Sequence, residues 1–132
     1  MFRGYIFSRH FLNERVPQHI QNIVLRDYCK KNNLHFLMSS TEYTMENSFI
    51  IFNQILNELN KIDGIIMYSL FQLPEDNEKR LNIFNKIIKK KKQIHFALEG
   101  LKLKTRVDIE RIDMIWLSKK TLKNCPIEIK VD

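Results

Sequence analysis

Glycine is scarce: the 132 residues hold three, Gly4, Gly64 and Gly100, and no two lie close together. A phosphate-cradling P-loop and a dinucleotide fingerprint both need clustered glycines, so both are excluded. Cysteine is nearly as rare. Cys29 and Cys125 have no close partner and no histidine at ligand spacing, so no metal site is expected. The first residues do not read as a secretory leader, and the expectation is a cytoplasmic protein with reduced thiols. No apolar run approaches bilayer length, so no membrane span is expected.

What is present suits one soluble domain. Hydrophobic residues make up 44% and charged residues 28%, and a chain of this size buries about two-thirds of its unfolded surface. Twenty-two basic against 15 acidic residues leave +7, with a pI near 9.5. More than half of that excess is the run Lys89-Lys90-Lys91-Lys92. At the end of a predicted helix these lysines face the negative pole of its dipole, and a solvated cationic cap accounts for them. Lys102, Lys104 and Arg106 are too sparse to form a binding stripe. Anionic partners are permitted, not demanded.

Phe2 to Phe7 reads as a buried strand. A helix is expected from near Pro17, with Val16, Ile20, Ile23, Val24 and Tyr28 as its buried stripe. Asn32-Asn33 closes it, and Leu34 to Met38 reads as a second strand. Phe52, Ile55, Leu56 and Leu59 form a second helical stripe, and Ile65 to Tyr68 a third strand. Pro74-Glu75-Asp76 fits a first helical turn, with Leu81, Phe84, Ile87 and Ile88 as the inner face of the helix that follows. Gln93 to Leu98 is a fourth strand. The alternation over residues 1–100 predicts a single, doubly wound α/β domain with a mainly parallel sheet of four or five strands. Over residues 106–132, Asp108 is placed to cap a helix carrying Ile109, Ile112, Ile115 and Trp116. Ile127 to Val131 alternates like an edge strand.

In open parallel sheets, ligands bind beyond the carboxyl ends of the strands. That rule selects Ser8, Arg9 and His10, then Ser39 to Tyr43, then Ser69 and Gln72, and finally Glu99. Ser8, Arg9 and Arg15 flank the first helix start, where free amides and guanidinium groups suit an anion. Alternatively, the arginines pair with Glu14, Glu42 or Glu99 and merely hold loops. Glu42 and Glu99 are candidates for acid/base work, with salt bridging as the structural alternative. Their strands are not expected to be neighbours. Ser8 is a candidate nucleophile, or a simple hydrogen-bond donor, since no G-x-S-x-G elbow surrounds it. Tyr43, Tyr68, Ser69 and Gln72 complete the expected ligand-binding wall, while His19, His35 and His95 read as packed side chains. No cofactor and no metal are expected.

Several separated motifs resemble one family. They are Arg3-Gly4-Tyr5 with Ser8-Arg9, and Arg15-Val16-Pro17-Gln18 with Gln21-Asn22. Thr41-Glu42-Tyr43, the segment from Asp63-Gly64-Ile65 through Tyr68-Ser69-Leu70-Phe71-Gln72-Leu73-Pro74, and His95-Phe96-Ala97-Leu98-Glu99 continue the pattern. Together, from Phe2 to near Trp116, they resemble the "sporadic carbohydrate cluster" proteins, named for bacterial gene clusters for surface polysaccharides and unusual sugars. The resemblance implies a small protein of surface-carbohydrate biosynthesis, binding or acting on an anionic or phosphorylated sugar, with other carbohydrate-cluster enzymes as partners. The alternative within that setting is a non-catalytic scaffold subunit, docking through an apolar patch around Ile115, Trp116 and Leu117.

At the level of fold the chain is also similar to the catalytic domain of serine recombinases, a flavodoxin-like, resolvase-like three-layer arrangement. Gly4-Tyr5 opens alike, and Ser8 matches their nucleophile. Those domains carry an arginine just before that serine, where this chain has Phe7, and arginines after the third strand, where it reads Leu70-Phe71-Gln72-Leu73. Without those cations a phosphodiester transition state lacks its charge stabilisation. Nucleic acid is therefore not the expected partner, and a catalytically inactive, recombinase-like nucleic-acid-binding domain stands as a further alternative. Such domains often pair, which keeps a homodimer open.

Overall fold

Strands and helices alternate from the first residues onward. The computed structural model describes residues 1–7, 16–42, 45 and 48–123, the last five as backbone alone. In chain order the elements are β1 (Phe2–Ile6), α1 (Gln18–Lys31), β2 (Phe36–Thr41), α2 (Ile50–Asn57), β3 (Gly64–Met67), α3 (Asn77–Lys89), β4 (Gln93–Phe96), β5 (Leu101–Leu103) and α4 (Arg106–Lys123). Single 3₁₀ turns at Leu59–Lys61 and Leu70–Gln72 flank β3. The sheet order is β2-β1-β3-β4-β5, parallel throughout except for β5, which runs against β4. The expected α/β class and mainly parallel sheet are what the chain adopts.

Strand periodicity divides the interior in two. Phe2, Ile6, Ile66 and Tyr68 pack with Leu25 and Cys29 of α1 on one face. Tyr5, Phe7, Ile65, Met67, Ile94 and Phe96 face the other way, into the larger core shared with α2, α3 and α4. One irregularity interrupts the β1–β2 pairing, where Arg3 opposes Leu37 but Tyr5 opposes Ser40. There Gly4 lacks the Cβ that would collide with the Ser39 side chain, whose hydroxyl donates to Asn22 Oδ1 of α1. The glycine is required by close approach.

Several boundaries differ from expectation. The second strand lies at Phe36–Thr41 rather than Leu34–Met38, and the fourth ends at Phe96, where the chain turns through Gly100 at φ 66° into β5. Strand β5 was not expected because it has three residues and a lysine at its centre. The inner face of α1 is Gln21, Leu25 and Cys29; Ile20 and Ile23 are exposed. On α3 the buried set is Arg80, Ile83, Phe84 and Ile87, and Leu81 is exposed. Trp116 is 5% exposed, so the apolar patch expected around it has no centre. Cys125 and the expected strand from Ile127 to Val131 lie outside the described residues. Among the described residues, no helix is long and apolar enough to cross a membrane.

Candidate functional site

Beyond the carboxyl ends of β1, β3 and β4, a chain of hydrogen bonds joins three connections. The 3₁₀ turn after β3 starts at Ser69, whose hydroxyl accepts from the Phe71 amide at 3.2 Å, while the Ser69 amide donates to Gln72 Oε1 at 3.3 Å. This is a reciprocal capping box, and its signature, serine followed three residues later by glutamine, is written in the sequence. Gln72 Nε2 donates to Gln21 Oε1 at 2.9 Å. Gln21 Nε2 in turn donates to the carbonyls of Phe7 at 2.7 Å and Val16 at 2.8 Å. A single buried amide therefore holds both flanks of the connection that carries Ser8, Arg9 and Arg15.

Glu99 completes this cluster from the turn after β4. Its carboxylate accepts from the Ser69 hydroxyl at 2.7 Å and the Leu70 amide at 3.0 Å. It thereby ties the ends of β3 and β4 together, beyond the last ladder bonds from Ala97 and Leu98 to Met67 and Tyr68. Of the residues selected from the sequence, Ser69, Gln72 and Glu99 are thus brought into contact. Ser69 is 1% exposed and Gln72 wholly buried, so both lie beneath the surface of the edge rather than on an open wall. Tyr68 is buried against the α1 face.

Glu42 stands elsewhere. It follows β2, three strand spacings from β4, or about 14 Å. Its Oε1 accepts from the Tyr5 hydroxyl at 2.9 Å and the Phe52 amide at 3.1 Å; its Oε2 accepts from the Ser48 hydroxyl at 3.0 Å and the Ile51 amide at 3.1 Å. The residue before α2 is Phe49, which offers no capping side chain, so the buried carboxylate supplies the cap from eight residues upstream. Glu42 and Glu99 each bond to first-turn amides of a different element, and they do not form the close pair that joint proton transfer needs. Ser8, Arg9, Arg15 and Tyr43 lie outside the described residues.

Two residues were given no structural role from the sequence. Gln21 sits four and eight positions before Leu25 and Cys29, a helical stripe that a polar start disguises. Arg80 is 2% exposed, with its guanidinium 4.3 Å over the Trp116 ring. It donates to the Pro74 carbonyl at 3.1 Å, the Glu75 carbonyl at 3.2 Å and Asn77 Oδ1 at 2.6 Å, and it faces Asp113 at 3.4 Å. Burial lowers its pKa, and Asp113 opposes that shift. Arg80 locks the segment leading into α3 against α4.

An open sheet in the order 2-1-3-4-5 with an antiparallel fifth strand is a doubly wound α/β arrangement. The N-terminal catalytic domain of TP901-1 integrase superposes with a TM-score of 0.66 at 12% identity, covering 93% of this chain and 98% of that one. A resolvase family site-specific recombinase from Streptococcus pneumoniae superposes with a TM-score of 0.63 at 9% identity, covering 99% and 97% respectively. No family model and no curated protein matches the sequence. At such identities the likeness is one of fold. It nevertheless corrects the expectation drawn from the carbohydrate-cluster resemblance, which no family match supports. An anionic or phosphorylated sugar and carbohydrate-cluster enzymes give way as partners, and so does the expectation that nucleic acid is not one. These two structures, which share the architecture, are an integrase catalytic domain and a site-specific recombinase.

Proposed function

We propose that this chain is a nucleic-acid-binding domain of recombinase-like fold that does not exchange strands. Its likeness to two site-specific recombinase structures supports the nucleic-acid part, as does the net charge of +7. The observation that carries the second part is the burial of Phe7, Leu70 and Leu73, at 2%, 0% and 3% exposure. Serine recombinases have an arginine where this chain has Phe7, and arginines after the third strand where it reads Leu70-Phe71-Gln72-Leu73, so these places supply no cation to a phosphodiester. Ser8, Arg9 and Arg15, on the connection flanked by Gln21, contact the phosphate backbone, with Ser8 as a hydrogen-bond donor.

Fluorescence anisotropy with a labelled duplex of mixed sequence tests this reading. Binding in the range of about 10⁻⁴ to 10⁻⁶ M is expected, falling steeply and log-linearly with salt. An Arg9→Ala, Arg15→Ala double variant should flatten that slope, and no covalent protein–DNA adduct should form. Absence of binding at low salt sinks the proposal, and strand cleavage sinks its second half.

A further inference from the structure

The α2–α3 face carries a second feature that the carboxyl-edge site does not use. A groove of about 570 Å³ runs between these helices, floored by Phe49, Leu56 and Ile83 and edged by Ile50 on one side and Lys79 and Lys86 on the other. Asn53 and Asn82 also line it, and among the described residues the lining includes no carboxylate. Lys79 and Lys86 are two helical turns apart, about 10 Å along α3. Lys90, the C-cap residue, follows on the same side, within about 40° of arc. Lys90 is exposed, so it continues the line of Lys79 and Lys86 beyond the groove. A row of ammonium groups from Lys79 through Lys86 to Lys90 spans about 16 Å.

We propose that this groove binds single-stranded nucleic acid. The inference rests on the nucleic-acid reading above but assigns a different surface and a different form of the ligand. A positive rim of this length exceeds what one phosphate or carboxylate engages, and it suits a linear polyanion. The apolar floor then discriminates among polyanions. A duplex keeps its bases stacked inside and leaves such a floor uncovered. A single strand sets its phosphates along Lys79, Lys86 and Lys90 and turns its bases across the groove onto Phe49 and Ile50. The side-chain amides of Asn53 and Asn82 offer the paired donor and acceptor that base edges take.

The test is anisotropy on the full chain with four probes: a labelled twenty-nucleotide oligothymidylate, an abasic strand of equal length, a duplex, and polyglutamate as competitor. Oligothymidylate is expected to bind about tenfold or more tighter than the abasic strand. Lys79→Ala with Lys86→Ala should lower the salt slope for oligothymidylate by about 1.4, since each lost phosphate contact removes about 0.7. Ile50→Ser, at a half-exposed position, should erase the preference for bases without changing the melting temperature. Unchanged single-strand binding in the lysine variant overturns the proposal, and so does equal affinity for the abasic strand. Effective competition by polyglutamate overturns it in favour of an acidic peptide. If duplex binding fails while these single-strand results hold, the carboxyl-edge reading falls and the groove stands. If single-strand binding alone is lost, the groove falls and the carboxyl-edge reading stands.

Discussion

A buried carboxylate with two donors on each oxygen leaves little room for substitution. In Glu42→Gln the amide group turns N–H bonds toward either the Tyr5 hydroxyl and Phe52 amide or the Ser48 hydroxyl and Ile51 amide. Charge-assisted acceptance is lost and donors oppose donors, at a cost of about 2–3 kcal/mol, readable from the midpoint of urea unfolding at constant m. His95 makes the complementary case. Its Nε2 lies 2.9 Å from Gln93 Oε1, which can only accept, so Nε2 carries the hydrogen and Nδ1 accepts from the Tyr28 hydroxyl at 2.7 Å. Burial, reinforced by Lys102, pushes the imidazole pKa from 6.5 down to about 4. The folded protein therefore refuses a proton that the unfolded chain takes between those values. The stability contributed by neutral His95 is complete above pH 6.5 and is lost as the pH falls toward 4. Melting temperatures recorded across that window should fall more steeply on acidification in the native chain than in His95→Gln.

At the scale of elements, polar side chains join pieces whose apolar faces alone leave their relative placement loose. Arg80 exemplifies this by holding two carbonyls and Asn77 at the entry to α3 while lying over Trp116 of α4. Trp116 in turn stacks on Phe71 of the turn after β3, with ring centroids 5.1 Å apart. Arg80→Met keeps most of the volume but strands those acceptors and Asp113, and it should cost about 3 kcal/mol in chemical denaturation. Arg80→Lys should recover little, because one ammonium cannot replace a planar fork that serves both carbonyls and the ring. The residue pattern of α3 carries no sign of this. An arginine beside exposed lysines reads as surface, and only the crossing of α4 buries it.

For the whole molecule, strand order decides which side chains share an edge. The alternation of apolar segments correctly implied a doubly wound parallel sheet, because a right-handed crossover is the usual way to link parallel strands with helices. Order 2-1-3-4-5 then separates Glu42 from Glu99 and gathers Gln21, Ser69, Gln72 and Glu99. The same order places Lys79 and Lys86 of α3 along the α2–α3 groove. Two surfaces of one basic protein should accordingly respond to salt independently. The Arg9/Arg15 variant should weaken duplex binding and spare oligothymidylate, and the Lys79/Lys86 variant should do the reverse, as paired salt titrations would reveal.

Periodicity along the chain was enough to specify four strands, the helices between them and the absence of any glycine-rich phosphate loop. Those features follow from neighbours in sequence, where spacing of apolar residues and turn chemistry act locally. Pro74-Glu75-Asp76, expected as a first helical turn, precedes α3, with Asp76 as its N-cap. The inward turn of Gln21 and Arg80, the capping of α2 by Glu42 and the brief β5 strand were settled by the folded arrangement instead. Each depends on groups far apart in sequence meeting in a low-dielectric interior, where an unpaired polar atom costs more than a misplaced apolar one.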